Sequence, residues 1–528
     1  MHKVIKSIDP DARIAGTGCA KYQEEFLGKF IPFCRENNCM PDIITWHELE
    51  ADKLDSFARH YDHYRTLEKA NGFDELEIVI NEYAPQAHCS VPGKLVSWIS
   101  VFEDKKVSAC LPYWHISNNL NDIAADYNEV NGAWWLYKWY GDMSGETLKT
   151  TRSNIGGQEL YGLASLSENK RSSNIIFGGI DKQCRIILNN MNMTESFNIS
   201  RVNVKVEATY WTAYHGVAPE PSVVLEGIYK IKDGSVKIDL EGLEEKAAYN
   251  VTLTRAGSTD TEGITRTGPW RKVYEAEDAR LLGSATVKSR PDNNYAYSGK
   301  NQAWNINSPG DGLRFEVEIP LEGYYKFDLL YGNGSGNNTK NPSENKPESV
   351  KQSLTVDGEA ALEVILPNTL SHYMESMYTG YIKLPAGKHS LDINYLSGLE
   401  GASIDCIYLT YAGKYKPSSE KTYEAELSDF NQYALNKISA VKTENTIRGY
   451  SAFGYITGLN SVHVTEGGGA RFNVMVENNG LYNLSLRYHS EASGNINIYT
   501  GNTAMTLNRL VKTIPVKDTG GNGKQLPG

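Results

Sequence analysis

Hydrophobic and polar positions follow two different patterns along this chain. In residues 1–145, short apolar runs alternate with longer stretches in which apolar residues recur at helical spacing. From residue 146 onward, short runs alternate apolar with polar residues and are separated by Gly, Asn and Asp. The first pattern is typical of β/α units and the second of antiparallel strands. The sequence therefore predicts an α/β domain that is followed by all-β domains.

Four β/α units are predicted in the first 145 residues. Their strands are predicted at residues 13–18, 42–47, 78–82 and 107–115. Apolar residues at helical spacing follow the strands, at residues 26–34, 54–67, 95–102 and 134–140. Four consecutive units of this kind amount to half of a (β/α)8 barrel, a fold that carries its chemistry at the carboxyl ends of its strands.

Glu82 is the leading catalytic candidate in this pattern. It ends the β-branched run Ile78-Val79-Ile80, so the third strand delivers a carboxylate at its carboxyl end. A single carboxylate after a strand can also solvate a turn or cap the next helix. The neighbouring units, whose strands end in polar or aromatic residues, favour the catalytic interpretation.

Composition limits the classes of partner. At 528 residues the chain exceeds the usual size of one domain, so three or four domains are expected. The net charge is −11 without a basic stripe, so nucleic acid is not an expected partner. The 33 Tyr and 9 Trp suit sugars, because aromatic rings can stack on the C–H faces of a pyranose.

The seven cysteines are scattered and lack the spacing of a zinc or redox site, so at most one disulfide is expected. No apolar run is long enough to span a membrane.

Four segments carry a further signal through their order and spacing. They are Asp9-Pro10-Asp11-Ala12-Arg13-Ile14-Ala15-Gly16, Asp42-Ile43-Ile44-Thr45-Trp46-His47, Ile80-Asn81-Glu82-Tyr83 and Pro112-Tyr113-Trp114. Together they resemble strands five to eight of a clan A glycoside hydrolase, nearest to family 39. The resemblance implies that residues 1–145 form the C-terminal half of a TIM-barrel glycosidase domain.

The resemblance also implies roles for individual residues. Glu82 matches the nucleophile, His47 matches a residue on the nucleophile's side of the pocket, and Trp114 matches the aromatic floor under the sugar. Either His47 or Tyr113 is expected to help orient Glu82 by hydrogen bonding. The implied reaction needs no cofactor and retains the anomeric configuration.

The clan's acid/base is a Glu at the end of strand four, which this resemblance places upstream of Met1. Glu48 lies beside His47, but it follows strand six and is disfavoured as a substitute. We therefore expect a fragment that is inactive on its own, and the start of the chain, with a predicted helix end at residues 2–8, is expected to lie in the middle of a fold.

The all-β part begins with an accessory domain. Residues 146–257 are predicted as a β-sandwich packed on the barrel, and the polar residues 258–270 as a linker. Trp211 and Tyr214 could reach the rim of the active site, although interior packing is the favoured use of such rings.

An internal repeat follows. Tyr274-Glu275-Ala276-Glu277 returns as Tyr423-Glu424-Ala425-Glu426, so residues 271–415 and 420–528 are predicted as two copies of one all-β module, the second of them truncated. Each copy resembles the carbohydrate-binding modules of families 6 and 35, which are β-sandwiches.

Glu275, Glu277 and Asp405 are the predicted ligands of a structural Ca²⁺. In an extended strand, residues two apart face the same side, so the two glutamates could join Asp405 around a hard, oxygen-seeking cation. The alternative is that they are solvated carboxylates of an edge strand. Sugar contacts of the first module are left open between four residues: Tyr295, Tyr297, Trp304 and Asn307.

The sequence as a whole predicts a retaining glycoside hydrolase, β-xylosidase-like, that acts on plant or other complex polysaccharides or oligosaccharides. We expect a secreted or cell-surface bacterial protein whose signal peptide lies upstream. Substrate identity stays open between xylosides, arabinosides, glucosides and galactosides, and the oligomeric state is not predicted. The alternatives are a non-catalytic secreted carbohydrate-binding protein and a structural surface protein.

Overall fold

The computed structural model describes most of the chain up to residue 417 and selected segments beyond it. The described residues are 1–50, 54–112, 114, 122–125, 130–152, 154–155, 158–191, 200–257, 259–290, 294–336, 348–417, 422–428, 441–444, 455–459, 469–470, 472, 474, 484–500 and 509–519. The chain divides into two compact units, Met1–Ser418 and Ser419–Gly528.

The first unit opens with an α/β part. Its helices are α1 His2–Ile8, α2 Glu24–Asn37, α3 Leu54–Ala70, α4 Pro92–Lys105 and α5 Gly132–Asp142. Its strands are β1 Ala15–Cys19, β2 Ile43–Glu48, β3 Glu77–Tyr83 and β4 Ser108–Ala109. The four strands pair in parallel in sequential order, so their carboxyl ends lie at one edge of the sheet.

Within the described part of the fourth predicted strand, residues 107–112 and 114, the structure has a strand at Ser108–Ala109. Beyond β4, Cys110 still donates its N–H to Ile80 O (2.9 Å) and accepts from Tyr83 N (3.1 Å). Pro112 then follows, and because proline has no N–H it cannot continue a ladder. The ladder of backbone hydrogen bonds therefore cannot continue through Pro112.

Residues 146–267 form the second part. Its strands are β5 Glu146–Leu148, β6 Asn154–Ile155, β7 Gln158–Glu159, β8 Tyr161–Leu166, β9 Ser172–Gly178, β10 Lys182–Leu188, β11 Arg201–Thr209, β12 Ser222–Lys230, β13 Val236–Leu243, β14 Ala248–Arg255 and β15 Gly263–Thr267. Seven of them form one sheet in the order β15-β12-β11-β14-β9-β8-β5. The β10–β13 ladder shares a hydrophobic core with this sheet.

The linker predicted at residues 258–270 is wrong in part. Gly263–Thr267 forms β15, an antiparallel edge strand on β12. Every residue of β15 is exposed, so no buried apolar position marks it in the sequence. An edge strand that is held by backbone pairing alone has the same polar composition as a linker.

The third part, the first module (residues 271–413), is a sandwich of two sheets. Its elements are β16 Arg271–Glu275, a 3-10 helix Ala276–Asp278, β17 Arg280–Leu282, β18 Thr286–Ser289, β19 Asn301–Trp304, β20 Gly312–Ile319, β21 Gly323–Gly332, β22 Val350–Val356, β23 Glu359–Leu366, β24 Glu375–Leu384, β25 Gly387–Ser397 and β26 Ser403–Gly413. One sheet runs β18-β19-β26-β21-β24, with β16 also on β26, and the other runs β17-β20-β25-β22-β23. A core of buried side chains fills the space between them.

A hydrophobic cluster joins all three parts of the first unit. It contains Trp98 from the α/β part and Trp211 and Tyr214 from the second part, and it extends to Leu330 and Tyr408 on the outer face of the six-stranded sheet. Burial of apolar surface is the main favourable contribution to folding. The three parts are therefore packed against one another and share part of their core.

The second unit is described by itself. Its elements are a 3-10 helix Ala425–Leu427, β27 Lys442–Glu444, β28 Tyr455–Thr457, β29 Gly494–Thr500 and β30 Arg509–Val516. β27 pairs with β28 and β29 pairs with β30, both antiparallel.

All seven cysteines are free thiols, and four of them are buried. No helix among the described residues combines the length and the apolar character that a membrane crossing requires.

Gly93 tests the packing of α4 on the second part. A Cβ on Gly93 would lie 2.1 Å from Glu245 O and 2.8 Å from Ala247 O, whereas a Cβ on Gly28 of α2 would meet nothing within 4 Å. We expect Gly93→Ala to lower the free energy of unfolding by about 2–3 kcal/mol through overpacking. The control Gly28→Ala should raise it by about 0.5–1 kcal/mol, because Ala favours a helix. Calorimetric unfolding checks both, and equal stability of the two variants would contradict the close contact.

Candidate active site

Glu82 and His47 are neighbours at the carboxyl ends of β3 and β2. The register pairs them directly, after a shift between Trp46 and His47. His47 Nδ1 lies 3.2 Å from Glu82 Oε2, and the Glu82 and His47 side chains are 41% and 23% exposed. The predicted nucleophile is thus open to solvent on one side and contacts an imidazole on the other.

The backbone just after Glu82 is held from both neighbouring strands. Tyr83 N donates to Cys110 O (3.1 Å), and Ala84 N donates to Glu48 O (3.0 Å). Backbone bonds on both sides fix the direction in which the strand ends, and with it the position of the carboxylate.

Trp114 lies at the same edge of the sheet. Its indole Nε1 donates to the backbone oxygen of Ala84 at 3.2 Å, and Ala84 lies two residues after Glu82 in the chain. Trp114 itself is half-buried. Tyr113, the other aromatic residue predicted here, lies outside the described residues. The structure therefore brings together three of the predicted positions: Glu82, His47 and Trp114.

Glu48 has a different environment. Its side chain is 3% exposed, and Oε1 accepts hydrogen bonds from Trp46 Nε1 (2.6 Å) and His60 Nδ1 (2.7 Å). His60 Nε2 lies 3.2 Å from an Arg59 guanidinium nitrogen, which can only donate, so the imidazole proton is on Nδ1. Both hydrogen bonds engage the same carboxylate oxygen in the interior of the fold. The geometry agrees with the sequence in disfavouring Glu48 as proton donor.

A cavity of about 230 Å³ opens beside His47. The ends of β1 and β2 and the start of α3 line it, with Lys21, Tyr22, Glu24, His47, Glu48, Leu49, Glu50, Arg59 and His60. The sequence did not single out Tyr22 or His60, which stack with ring centroids 4.4 Å apart. Tyr22 lies in the loop between β1 and α2, and His60 follows the ordinary helical pattern of α3, so neither position carries a distinctive sequence signal.

The loop after β3, residues 84–91, has two non-glycine residues with left-handed backbone conformation. Ala84 has φ 75° and Ser90 has φ 62°. Trp211 Nε1 donates to Ser90 Oγ (3.3 Å) and Tyr214 Oη donates to Gln86 O (3.0 Å). Trp211 and Tyr214 are 2% and 0% exposed, so they pack in the interior as favoured and also contact this loop.

His88, in the same loop, is neutral at physiological pH. Its Nδ1 accepts from Trp98 Nε1 at 3.0 Å, which leaves the ring proton on the other nitrogen. Burial is the main cause that lowers the pKa of His88 to about 4, and the nearby charge of Lys94 adds to it.

Glu275, Glu277 and Asp405 meet around the loop 298–300 of the first module. Ser298 N donates to Asp405 Oδ2 (2.6 Å), Ser298 Oγ donates to Glu275 Oε1 (2.7 Å), and Lys300 N donates to Glu277 Oε1 (2.8 Å). The expectation that both glutamates share one extended strand is wrong, because β16 ends at Glu275 and Glu277 lies in the 3-10 helix. The backbone turn still directs both carboxylates to the same loop.

Three carboxylate oxygens of this cluster, Glu275 Oε2, Glu277 Oε2 and Asp405 Oδ1, are buried without a hydrogen-bond partner. Burial raises the pKa of Glu275 to about 7, and burial together with the charge of Glu375 raises the pKa of Asp405 well above its usual range. Unpaired acceptors of this kind fit a hard cation. Within the described residues, however, no three carboxylate, imidazole or thiol groups meet the geometry of a metal site.

The four candidates for sugar contact separate in the structure. Trp304 lies 5.1 Å from His372 and 5.6 Å from Tyr373 between ring centroids. Tyr295 packs on Tyr214, with 6.2 Å between the ring centroids, and Tyr297 lies under the Arg290 guanidinium. Asn307 donates its backbone N–H to Asp311 at 3.3 Å. Trp304 thus belongs to an aromatic cluster, and Tyr295 lies toward the second part.

No protein-family model matches the chain. Over 341 residues the chain is 31% identical to a 3-O-alpha-D-galactosyl-alpha-L-arabinofuranosidase of Bifidobacterium longum subsp. longum, which covers 62% of this chain and 30% of that enzyme. Over 431 residues it is 28% identical to a 3-O-beta-L-arabinopyranosyl-alpha-L-arabinofuranosidase of Bifidobacterium pseudocatenulatum. This alignment covers 76% of this chain and 42% of that enzyme. The chain is similar to named glycosidases and spans less than half of their length.

Solved structures give two further similarities. The structure of N2152 from Neocallimastix frontalis has 32% sequence identity and a TM-score of 0.45, over 48% of this chain and 64% of that one. A family 35 carbohydrate binding module from Clostridium thermocellum has 18% identity and a TM-score of 0.23, over 27% of this chain and 99% of that one.

His88 predicts a pH dependence of stability. The pKa of this imidazole falls from its ordinary 6.5 to about 4 on folding. Between these values the imidazole binds the proton more readily in the unfolded chain, so the contribution of His88 to the free energy of unfolding should fall as the pH is lowered through this window and stay level above it. The loss is about 3 kcal/mol. Glu275, whose pKa burial raises to about 7, contributes with the opposite sign, so His88 is tested by comparison with a variant. In His88→Gln, whose amide oxygen can still accept from Trp98, the slope of the free energy of unfolding against pH should be less positive than in the wild type between pH 6.5 and 4, as measured by denaturant titrations. An unchanged slope would contradict the assignment.

Proposed function

We propose that the chain carries the nucleophile half of a retaining glycosidase active site. The observation that carries the proposal is the pairing of Glu82 with His47 at the carboxyl edge of a parallel sheet, with an Nδ1 to Oε2 distance of 3.2 Å. Similarity to two glycosidases supports the same class of reaction. In this proposal the α/β part corresponds to strands five to eight of a (β/α)8 barrel.

Glu82 would attack the anomeric carbon and form a glycosyl-enzyme that water later hydrolyses. Retaining enzymes of this type hold two carboxyl groups about 5–5.5 Å apart, whereas an inverting pair is about 6.5–9.5 Å apart. His47 holds Glu82 Oε2, and the Trp114 indole, fixed through Ala84 O, offers a face for stacking on a sugar ring.

We propose that the proton donor of this mechanism is not one of the residues of this sequence. Glu48 is bonded to Trp46 and His60 and is nearly fully buried, so it is poorly suited to protonate a leaving group. We therefore keep the prediction that the acid/base is a Glu on a preceding strand, outside this sequence. A reaction with a leaving group that needs no proton would bypass that requirement.

The named activities of the relatives support a proposal about the substrate class. Both are named for cleaving α-L-arabinofuranosides that carry another sugar at O3. We propose a substituted arabinofuranoside of a complex polysaccharide as substrate, in place of the β-xyloside that the family resemblance suggested. We also propose export to the cell surface or medium, where such polysaccharides are found.

Covalent labelling of Glu82 tests the proposal on this chain. We expect 2,4-dinitrophenyl 2-deoxy-2-fluoro-α-L-arabinofuranoside to form one adduct, because dinitrophenolate leaves without protonation and fluorine slows hydrolysis. Mass spectrometry of peptides should locate the adduct on Glu82. In Glu82→Gln the labelling rate should fall at least about a thousandfold, as for loss of other nucleophiles.

Glu77→Gln is the matched control, since Glu77 lies at the opposite end of the same strand and is exposed. It should label at the wild-type rate. An adduct that persists in Glu82→Gln would overturn the role of this residue. Absence of any adduct with arabinosyl and xylosyl reagents would favour the alternative, a non-catalytic carbohydrate-binding protein whose aromatic cluster around Trp304 contacts the sugar.

We further propose that Glu275, Glu277 and Asp405 hold a structural Ca²⁺ in the first module. Their buried, unpaired oxygens support it, because an ion would neutralise charge that burial otherwise penalises. Gly299 supports it too, since a Cβ there would lie 2.6 Å from Glu277 Oε1 and 3.0 Å from Glu275 Oε2. The ion would stabilise this loop and take no part in the chemistry.

Calcium should raise the thermal midpoint of the chelator-treated chain. At a hundred times its dissociation constant an ion contributes about 2.7 kcal/mol to stability. Glu275→Gln should abolish the shift, whereas Glu316→Gln, a change at an exposed strand position of the same module, should keep it. A calcium shift of equal size in Glu275→Gln would rule out this ligand set.

A further inference from the structure

Residues 210–218, here called the bridging segment, connect β11 to β12 and contact both the loop after β3 and the first module. Within the segment, Ala213 has φ 63° and Thr212 Oγ1 donates to Gly216 O at 2.8 Å. A Cβ on Gly216 would lie 2.8 Å from Met377 Cβ of the module. The bridging segment is therefore a compact turn pressed directly on β24.

The Tyr214 hydroxyl lies between two loops. It donates to Gln86 O (3.0 Å) in the loop 84–91 and accepts from Ala296 N (2.6 Å) in the first module. The side chain is fully buried, and Gln86 O also accepts from Cys89 N at 3.2 Å inside the loop. One phenol thus joins the loop after Glu82 to a loop of the module.

The backbone of Tyr214 is anchored as well. Tyr214 N and His215 N both donate to Glu375 O, at 3.1 and 3.3 Å. The Glu375 side chain is 0% exposed and accepts from Gln302 Nε2, while Arg290 lies 3.7 Å away. The module therefore holds the bridging segment through the backbone carbonyl of a residue that is itself fixed by a buried polar network.

The loop 84–91 needs external support. Its left-handed Ala84 and Ser90 are each unfavourable by roughly 1 kcal/mol or more, and such conformations persist only where surrounding contacts determine them. Side chains and backbone groups outside the loop that bond to it include Glu48 O and Trp114 at Ala84, Tyr214 at Gln86, Trp98 at His88 and Trp211 at Ser90. Two of these five come from the bridging segment.

We infer that Tyr214 is a positioning residue, through which the first module supports the loop that follows Glu82. The inference rests on the proposed function for its catalytic meaning. The module is accordingly a structural part of the active site in addition to any sugar or ion that it binds.

Hydrogen–deuterium exchange of the loop 84–91 tests the inference without requiring activity. Tyr214→Phe keeps the ring and removes both hydroxyl bonds, so amide exchange in this loop should become roughly tenfold faster. Tyr325→Phe is the matched control: Tyr325 is also 0% exposed and its hydroxyl donates to a backbone carbonyl, Leu321 O at 2.7 Å, but inside the module. Tyr325→Phe should leave amide exchange in the loop 84–91 unchanged. It should lower the thermal stability of the chain about as much as Tyr214→Phe does.

A second readout is the rate at which Glu82 is labelled by the fluoroarabinoside. We expect Tyr214→Phe to slow labelling about tenfold or more while Tyr325→Phe does not, since displacement of a catalytic group by a fraction of an ångström is costly. If Tyr214→Phe does not fold, Ser90→Ala removes the acceptor of the Trp211 bond and should likewise speed exchange in the loop.

The outcomes separate the two proposals. Faster exchange without any labelling in the wild type would keep the positioning role of Tyr214 and reject the glycosidase. Normal labelling with exchange in Tyr214→Phe equal to that in Tyr325→Phe would keep the glycosidase and reject the positioning role.

Discussion

Parallel pairing of β2 with β3 is the constraint on which the candidate site depends. Parallel strands bring their carboxyl ends to one edge, and the shift after Trp46 then sets His47 directly opposite Glu82. The same pairing lets the carbonyl of Glu48 take the N–H of Ala84, so the chain turns away at once and leaves the carboxylate at the edge. A slip by one residue would send Glu82 to the other face of the strand.

This edge of the sheet is stabilised by residues distant in sequence. Ala84 and Ser90 hold backbone conformations that favour glycine, and the compensation comes from Trp114, Trp211 and Tyr214. Glycine at these positions would relieve the strain but would also enlarge the conformational entropy of the unfolded chain. In this structure Ala84 and Ser90 occupy these positions, and hydrogen bonds from aromatic side chains hold their loop in place. The position of the loop therefore depends on the parts of the fold that carry those side chains.

The sequence predicted what local pattern encodes. Strands 42–47 and 78–82 overlap β2 and β3 because buried β-branched residues mark them, and strand 13–18 overlaps β1 although none of the residues of β1 is buried. The pair of Glu82 and His47 follows from the strand ends. Local pattern could not predict β15, whose residues are all exposed, or the 3-10 turn that carries Glu277. Local pattern also could not predict the hydrogen bond from the Tyr214 hydroxyl to Gln86 O. The two residues are 128 positions apart, and nothing in the intervening sequence encodes their contact.

The shared core also restricts what the first module can do. Leu330, Cys406 and Tyr408 project from the outer face of its six-stranded sheet into the cluster that contains Trp98 and Tyr214. A sheet face that is buried in this way cannot also receive a glycan. Any sugar contact that the module makes is then restricted to surfaces away from this face, such as the region where Trp304, His372 and Tyr373 meet with Lys288 above the indole. One sandwich can thus support the loop after Glu82 with one face and keep aromatic side chains at another site for a ligand.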